Sequence, residues 1–352
     1  MMKRTTSPAC DQKRRSFIKL CGLVGLGTAG VAASVLPLDR AETLLFGKGE
    51  YKVSKTRLAM GSFLAITAFH PSRDLAEEAL GLAFQEVDRL SRLLSRHDAT
   101  TPVAHLNRTG SLSSAPPELL EVMHASLAYH RLTKGAFDIT VQPLVDLFKE
   151  RFAAGRKPSE AEISALLPRV GSEKIHLAER AIHFQGEGMG VTLDGIAPGY
   201  IVDRVSALLT KLGVSNHLIN CSGDIRTSGA AAKGEPWTVA IQDPKHQQAY
   251  PDVLRMGSGA ISTSGSYEIY YDQERTFHHI VTPRTGHSPL LATSVTTTAP
   301  TVMAADALAT GLMVMPPEEG VRLVANQLRC QCFIIGRDQR TMHTPGWSAA
   351  AA

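Results

Sequence analysis

Aromatic residues are scarce in this sequence, at 6% with only two Trp, and positive charge is not spread along it. Residues 1–40 hold seven Lys/Arg against two Asp, a local balance of +5, which leaves the remainder of a chain of net charge +4 one unit negative. Nucleic-acid binders need basic surface interleaved with stacking rings, so that class is excluded. Long hydrophobic runs are missing too. The Gly/Ala-rich stretch Leu20–Ala33 covers 14 residues, short of the ~20 that span the hydrocarbon as a helix, which excludes a polytopic membrane protein. Cysteine is sparse: beyond Cys10 and Cys21 only Cys221, Cys330 and Cys332 remain, an odd number that rules out a fully paired disulfide framework. Cys330-Gln331-Cys332 has no Cys/His partner at zinc-like spacing and reads as two residues on one face of a strand.

What is present is an ordinary globular composition: 352 residues, 43% hydrophobic, 20% charged, enough for one large domain or two smaller ones. Lys13-Arg14-Arg15-Ser16-Phe17-Ile18-Lys19 stands ahead of the Leu20–Ala33 stretch. A positive segment, an apolar one and small residues at its end make an export signal, and the paired arginines specify the twin-arginine route. We expect residues 1–40 to be that signal and the protein to be periplasmic; the rival reading is an uncleaved membrane tether. Folded export accords with a bound cofactor or metal.

Residues 41–340 are expected to form the working domain and 341–352 a loose tail. Leu75, Ala79, Leu82, Val87, Leu90 and Leu94 repeat at helical steps, predicting a helix over 74–94 with an Asp74/Glu77 capping pattern. A second helix is expected from Pro116-Pro117-Glu118 to Gly135, and a third over 201–212, ended by Gly213. Residues 149–168 look like a polar insertion with Lys157-Pro158-Ser159 as a helix entry. Strand-like runs fall at 64–68, 218–220, 237–241 and 332–335. Helices and strands mix without a strict βαβ rhythm, so the expected fold class is α+β.

Chemistry is expected in the Gly-centred segments between these elements. The turn Asp194-Gly195-Ile196-Ala197-Pro198-Gly199 opens a helix, where unpaired backbone N–H groups suit phosphate oxygens. Asp306 and Thr310 lie four apart on a helix, so a carboxylate and a hydroxyl share one face. Such hard oxygen donors suit Mg²⁺; on spacing alone a capping Asp and a Thr bonded back to its own helix are the preferred reading. His278-His279 ahead of Pro283-Arg284-Thr285-Gly286 offers a general base or a structural pair.

Taken in order, Met60-Gly61-Ser62, Ala136-Phe137-Asp138-Ile139-Thr140-Val141 with Pro143-Leu144, Gly195-Ile196-Ala197 with Gly199-Tyr200 and Val202-Asp203, Ser222-Gly223-Asp224-Ile225, Thr263-Ser264-Gly265, His278-His279-Ile280 with the Pro-Arg-Thr-Gly turn, and Ala305-Asp306-Ala307-Leu308-Ala309-Thr310 resemble the ApbE family of flavin transferases over residues 57–336. The resemblance implies a mixed α/β core with a flavin-binding cleft. It implies Mg²⁺-dependent transfer of FMN from FAD to a Ser or Thr of an acceptor redox protein, with release of AMP. It implies FAD contacts from Met60, Ala136, Phe137 and Asp138, His279 as the catalytic base beside the reacting phosphate, and metal ligation by Asp306, Thr310 and the Gly195 carbonyl. It also marks departures at flavin-facing positions: His97 in place of a Tyr, Thr192 of an acid, Pro198 of a cation, Ser222 of a glycine and Thr282 of an Asp. The leader or the acceptor would bring the protein to the membrane. Two rival functions follow: a non-catalytic periplasmic flavin carrier, and a pyrophosphatase that splits FAD into FMN and AMP.

Overall fold

The computed structural model describes residues 39–46, 49–245 and 250–347; the Arg14-Arg15 leader, with Cys10 and Cys21, lies outside them. A meander of β1 (Asp39–Phe46), β2 (Glu50–Ala59) and β3 (Ser62–His70) opens the fold. A long excursion follows through α1 (Arg73–Leu94), α2 (Pro102–Thr109), β4 (Ser111–Leu112), α3 (Pro117–Leu132), α4 (Gln142–Ala153), α5 (Glu160–Leu166), β5 (Ile175–Leu177), β6 (Ile182–Phe184) and α6 (Ala197–Lys211). The chain returns with β7 (Asn216–Cys221) and β8 (Asp224–Ser228), and a hairpin of β9 (Trp237–Ala240) and β10 (Val253–Met256) precedes β11 (Gly259–Gly265) and β12 (Ala292–Ala299). Finally α7 (Val302–Val314), α8 (Pro317–Ala325), β13 (Gln331–Gly336) and β14 (Thr341–His343) complete it.

Nine strands pair antiparallel in the order β1-β2-β3-β7-β8-β11-β12-β13-β14. This mixture of sheet and helix is the α+β arrangement expected. Side chains alternate across a strand, and the two sheet faces use that period differently. Ile219 and Cys221 join the helix-side core with Leu64, Ile66, Phe84, Val87 and Val205. Leu218, Phe333 and Ile335 instead pack with Val239, Leu254 and Trp347. Helices therefore cover one face and the β9–β10 hairpin the other.

Helix α1 begins where its periodicity predicts, but its cap differs. Ser72 accepts from Leu75 N at 3.3 Å, while Glu77 pairs with Arg73 at 2.8 Å and accepts from Thr43. Residues 149–153 are not insertion but the last turn of α4; the Ser159 entry is a full capping box with Glu162. The tail expectation also needs correction. Residues 341–343 form β14, and Trp347, 3% exposed, donates Nε1–H to Asp252 at 2.6 Å and stacks on Phe333. An indole buries too much apolar area to stay in water when such a slot exists. Cys221, Cys330 and Cys332 are buried free thiols. Among the described residues no helix is long and apolar enough to cross a membrane.

The contact that matters for function is between α6 and α7. A Cβ on Gly199 would lie 2.6 Å from the Val302 carbonyl oxygen and 2.8 Å from Met303 Cα, so only glycine lets the two helix starts touch. Asp203, one turn into α6, accepts from Val302 N at 3.0 Å and Met303 N at 2.9 Å, capping α7. We predict that Gly199→Ala lowers stability by about 1–3 kcal/mol through overpacking. Gly81→Ala, in α1 with nothing within 4 Å of the added carbon, should raise it by up to ~1 kcal/mol. Urea unfolding midpoints check both; equal shifts would contradict the close approach.

Candidate active site

The α6–α7 contact buries a carboxylate at a helix start. Asp306, 5% exposed, accepts from Gly199 N at 3.2 Å. One turn on, Thr310 reaches the preceding loop: a Cβ on Gly195 would lie 2.8 Å from Thr310 Oγ1. Thr310 Oγ1 also meets Ser264 Oγ of β11 at 3.3 Å. Asp224 follows the β7–β8 turn and accepts from Ser262 Oγ at 2.6 Å. Burial first, then the negative charge of Asp224, raises the Asp306 carboxyl well above its ordinary value. Burial likewise pushes Asp224 up to about 7, against the Ser262 bond. Buried like charges at such range keep protons unless a cation offsets them. Asp306, Thr310 and the Gly195 backbone thus form an all-oxygen set with surplus negative charge and a cradle that any Cβ would fill, which fits a hard divalent cation.

The phosphate reading of the Gly195–Gly199 turn is corrected by the same geometry. Gly199 N–H is committed to Asp306, Ile196 N and Ala197 N donate to Leu193 O, and Pro198 has no donor. The helix start serves the carboxylate instead.

The two histidines divide. His278 is fully buried, bonded through Nε2 to Pro289 O at 2.8 Å, with its backbone tied to Ser288; these ties make it structural, although its Nδ1, like that of His279, has no partner. His279 has a buried Nδ1 without a partner. Burial, reinforced by His278, lowers its pKa to about 4, so the imidazole is neutral at pH 7 and free to accept a proton. Asp194, beside Gly195, lies within electrostatic range of both His279 and Asp306. Arg96 stands 3.9 Å from Asp194. His97, its neighbour, is exposed. Two clefts open elsewhere on the described surface, one of about 450 Å³ lined in part by His278 and one of about 380 Å³ lined in part by Asp146, the partner of Arg96 at 2.9 Å; neither is lined by Gly195, His279, Asp306 or Thr310. Both have the size of small-ligand sites.

Met60 and Gly61 form a two-residue hairpin turn at φ 51 and 74, and Ser222 with Gly223 forms another at φ 52 and 103. Ser62 Oγ hydrogen-bonds Ser222 Oγ, so the turns lie side by side. A non-glycine residue in that left-handed region costs about 1–2 kcal/mol, and strain of this kind gathers at functional sites. Ala136 is partly exposed, but Phe137 is 3% exposed against Tyr129 and packs by its Cβ near Gly311 of α7. Asp138 faces inward as well. Its oxygens accept from Thr140 N and Oγ1 and from Ser172 N and Oγ, at 2.5–3.0 Å, and pair with His130 at 3.2 Å. Thr192 N donates to Ile139 O, and its buried hydroxyl lacks a partner. The structure therefore brings Thr310 to the loop at Gly195 and Asp306, one turn away on α7, to the Gly199 amide. It gives the Phe137 ring and the Asp138 carboxylate to packing and loop bracing. His130, Asp138 and Glu173 do offer ligand atoms within 4.8 Å of one another, but the Asp138 oxygens are already filled by hydrogen bonds and His130 Nδ1 also meets Phe137 O at 3.1 Å.

The residues not anticipated are Asp224, Ser264, Arg96 and Tyr271. Asp224 and Ser264 lay within motifs already noted; Arg96 lay between Ser95 and His97, and nothing in its spacing marked it.

A model of the ApbE family matches residues 60–334. The chain belongs to the ApbE family. Within that family it is 33% identical over 256 residues to the FAD:protein FMN transferase of Vibrio cholerae serotype O1, covering 69% of this chain and 76% of the relative. It is 32% identical over 254 residues to the Escherichia coli K12 protein of the same name, covering 69% and 72%. Its fold is similar to the ApbE protein of Thermotoga maritima, with TM-score 0.76 and 25% identity over 89% of this chain and 100% of that one. It is also similar to the flavin transferase ApbE of Vibrio cholerae, with TM-score 0.73 and 25% identity over 88% and 99%. The chain is accordingly an enzyme of a flavin transferase family.

The bond to Asp138 raises the His130 pKa above the ordinary 6.5. Its contribution to stability is complete below 6.5 and is lost as pH rises through the raised value. Wild-type urea midpoints should therefore fall over that window while His130→Gln flattens the slope; parallel pH curves would contradict the ion pair.

Proposed function

We propose that this chain transfers FMN from FAD to the hydroxyl of a Ser or Thr on an acceptor redox protein, releasing AMP, with Mg²⁺ held by Asp306, Thr310 and the Gly195 carbonyl. The observation that carries it is the meeting of Asp306 and Thr310 of α7 with the Gly195–Gly199 segment in a chain of the ApbE family; His279, with a buried Nδ1 that has no partner, is the base this reading assigns. Bound there, Mg²⁺ would neutralise the pyrophosphate and the charge that develops on it. The chain's own residues do the rest. His279 takes the proton of the acceptor hydroxyl as its oxygen attacks the FMN-side phosphorus; the new P–O bond forms as the pyrophosphate P–O bond breaks, and AMP leaves in line. Asp203 and Gly199 hold α6 against α7, so that Asp306 and Thr310 keep their places relative to the loop at Gly195.

The Arg14-Arg15 leader supports a periplasmic site of action, with membrane contact through the leader or the acceptor. A flavin carrier would have no use for a base beside a cation site, and this favours transfer over that rival.

Purified protein, FAD, Mg²⁺ and an acceptor are incubated, and flavin fluorescence is read on the acceptor band in a denaturing gel. Transfer predicts a fluorescent acceptor. FAD binding without attachment favours the carrier, and AMP release without acceptor favours the pyrophosphatase. Asp306→Ala should abolish metal-dependent turnover. His279→Ala should spare FAD binding and slow transfer by about 10²–10⁴-fold. Because His279 must be neutral to act, the acid limb of the pH–rate profile should fall near pH 4, and a limb at the ordinary imidazole value would contradict its burial.

A further inference from the structure

Arg96 is 7% exposed in its side chain, yet only one of its three guanidinium nitrogens is used. Nη1 donates to Asp146 at 2.9 and 3.2 Å. Nε and Nη2 are buried without a hydrogen-bond partner. Those two nitrogens form the side-on edge of the guanidinium, whose parallel N–H bonds match a carboxylate or a phosphate. Elsewhere in this molecule the same edge is filled: Arg89 holds Glu86 through Nε at 2.8 Å and Nη2 at 2.9 Å. On this edge of Arg96 the acid Asp194 stops 3.9 Å from Nε, with its side chain 63% exposed. A second donor waits nearby. The Tyr271 hydroxyl is buried without a partner, within electrostatic range of both Arg96 and Asp194, its ring fixed by Phe152 and Phe148.

Buried donors left unpaired are costly, more so when charged, and native proteins keep few of them. Two on one cation, beside a third on a tyrosine, need an acceptor that arrives. The loop next to them supplies no cation of its own, because Pro198 stands where the resemblance places one. We propose that the Arg96 fork, with the Tyr271 hydroxyl, is the phosphate-binding element of this site, taking a nucleotide phosphate when Asp194 turns outward to water. The inference rests on the flavin-transfer reading and adds to it the group that grips the substrate. Arg96 binds and orients, through paired N–H donors and not by proton transfer. Asp146 keeps the guanidinium in place from its far side.

The test is binding, not turnover. Wild-type protein, Arg96→Met and Arg96→Lys are titrated with FMN, AMP and riboflavin, by flavin fluorescence and, for AMP, calorimetry. Arg96→Met should weaken at least one phosphate ligand by about 10–100-fold and leave riboflavin unchanged. A loss confined to FMN assigns the fork to the flavin-side phosphate, and one confined to AMP to the adenylate side. Arg96→Lys keeps the charge opposite Asp146, and with it the fold, but lacks the fork, so it should fall between. Riboflavin weakening in step with FMN, or both phosphate ligands binding the variants as they bind wild type, would overturn the assignment. Wild-type protein that binds no flavin nucleotide at all would refute the flavin reading itself, a result distinct from wild-type binding that Arg96 leaves untouched.

Discussion

A buried carboxylate at a helix start governs this structure. Asp306 can sit at the Gly199 amide only because residue 199 has no side chain, since any Cβ would strike the α7 backbone. A carboxylate at a helix N-terminus gains from the dipole and from the unpaired amide, but burial and the proximity of Asp224 work against its charge. The balance leaves a pocket of oxygens short of positive charge. The glycine at 195, the hydroxyl of Thr310 and the cap that Asp203 places on α7 follow from the same close approach.

Neighbouring residues of similar chemistry take opposite tasks. His278 is tied through Nε2 to Pro289 O, and His279 keeps a buried Nδ1 without a partner. Asp203 caps α7 while Asp306 of α7 takes the Gly199 amide of α6. Asp138, for all its place in a motif, ties residues 138–140 to Ser172 and His130. The sheet supplies the frame: the β2–β3 and β7–β8 turns are adjacent because β3 and β7 pair. Strand β11 then brings Ser262 and Ser264 beside Asp224 and Thr310.

Much of this was legible before the fold was known. Helices α1 and α6 announced themselves by periodicity, and the Asp306/Thr310 spacing put two oxygens on one face. What escaped was decided by tertiary contact. Ser72 caps α1 instead of Asp74, because its side chain reaches the Leu75 amide while Glu77 is drawn to Arg73. The amides after Gly195 looked available to phosphate, and only the packing of α7 showed that Asp306 takes one of them. Trp347 looked like part of a loose tail because the slot between Phe333 and Asp252 is assembled from distant segments. Arg96 carries no local signal, since its meaning lies in what its guanidinium lacks.

The most direct test of the central claim is anomalous scattering from crystals of the full chain grown with Mn²⁺ in place of Mg²⁺. The account predicts a peak about 2.1 Å from an Asp306 carboxylate oxygen, Thr310 Oγ1 and the Gly195 carbonyl oxygen. A peak between His130, Asp138 and Glu173 with none at Asp306 would contradict it.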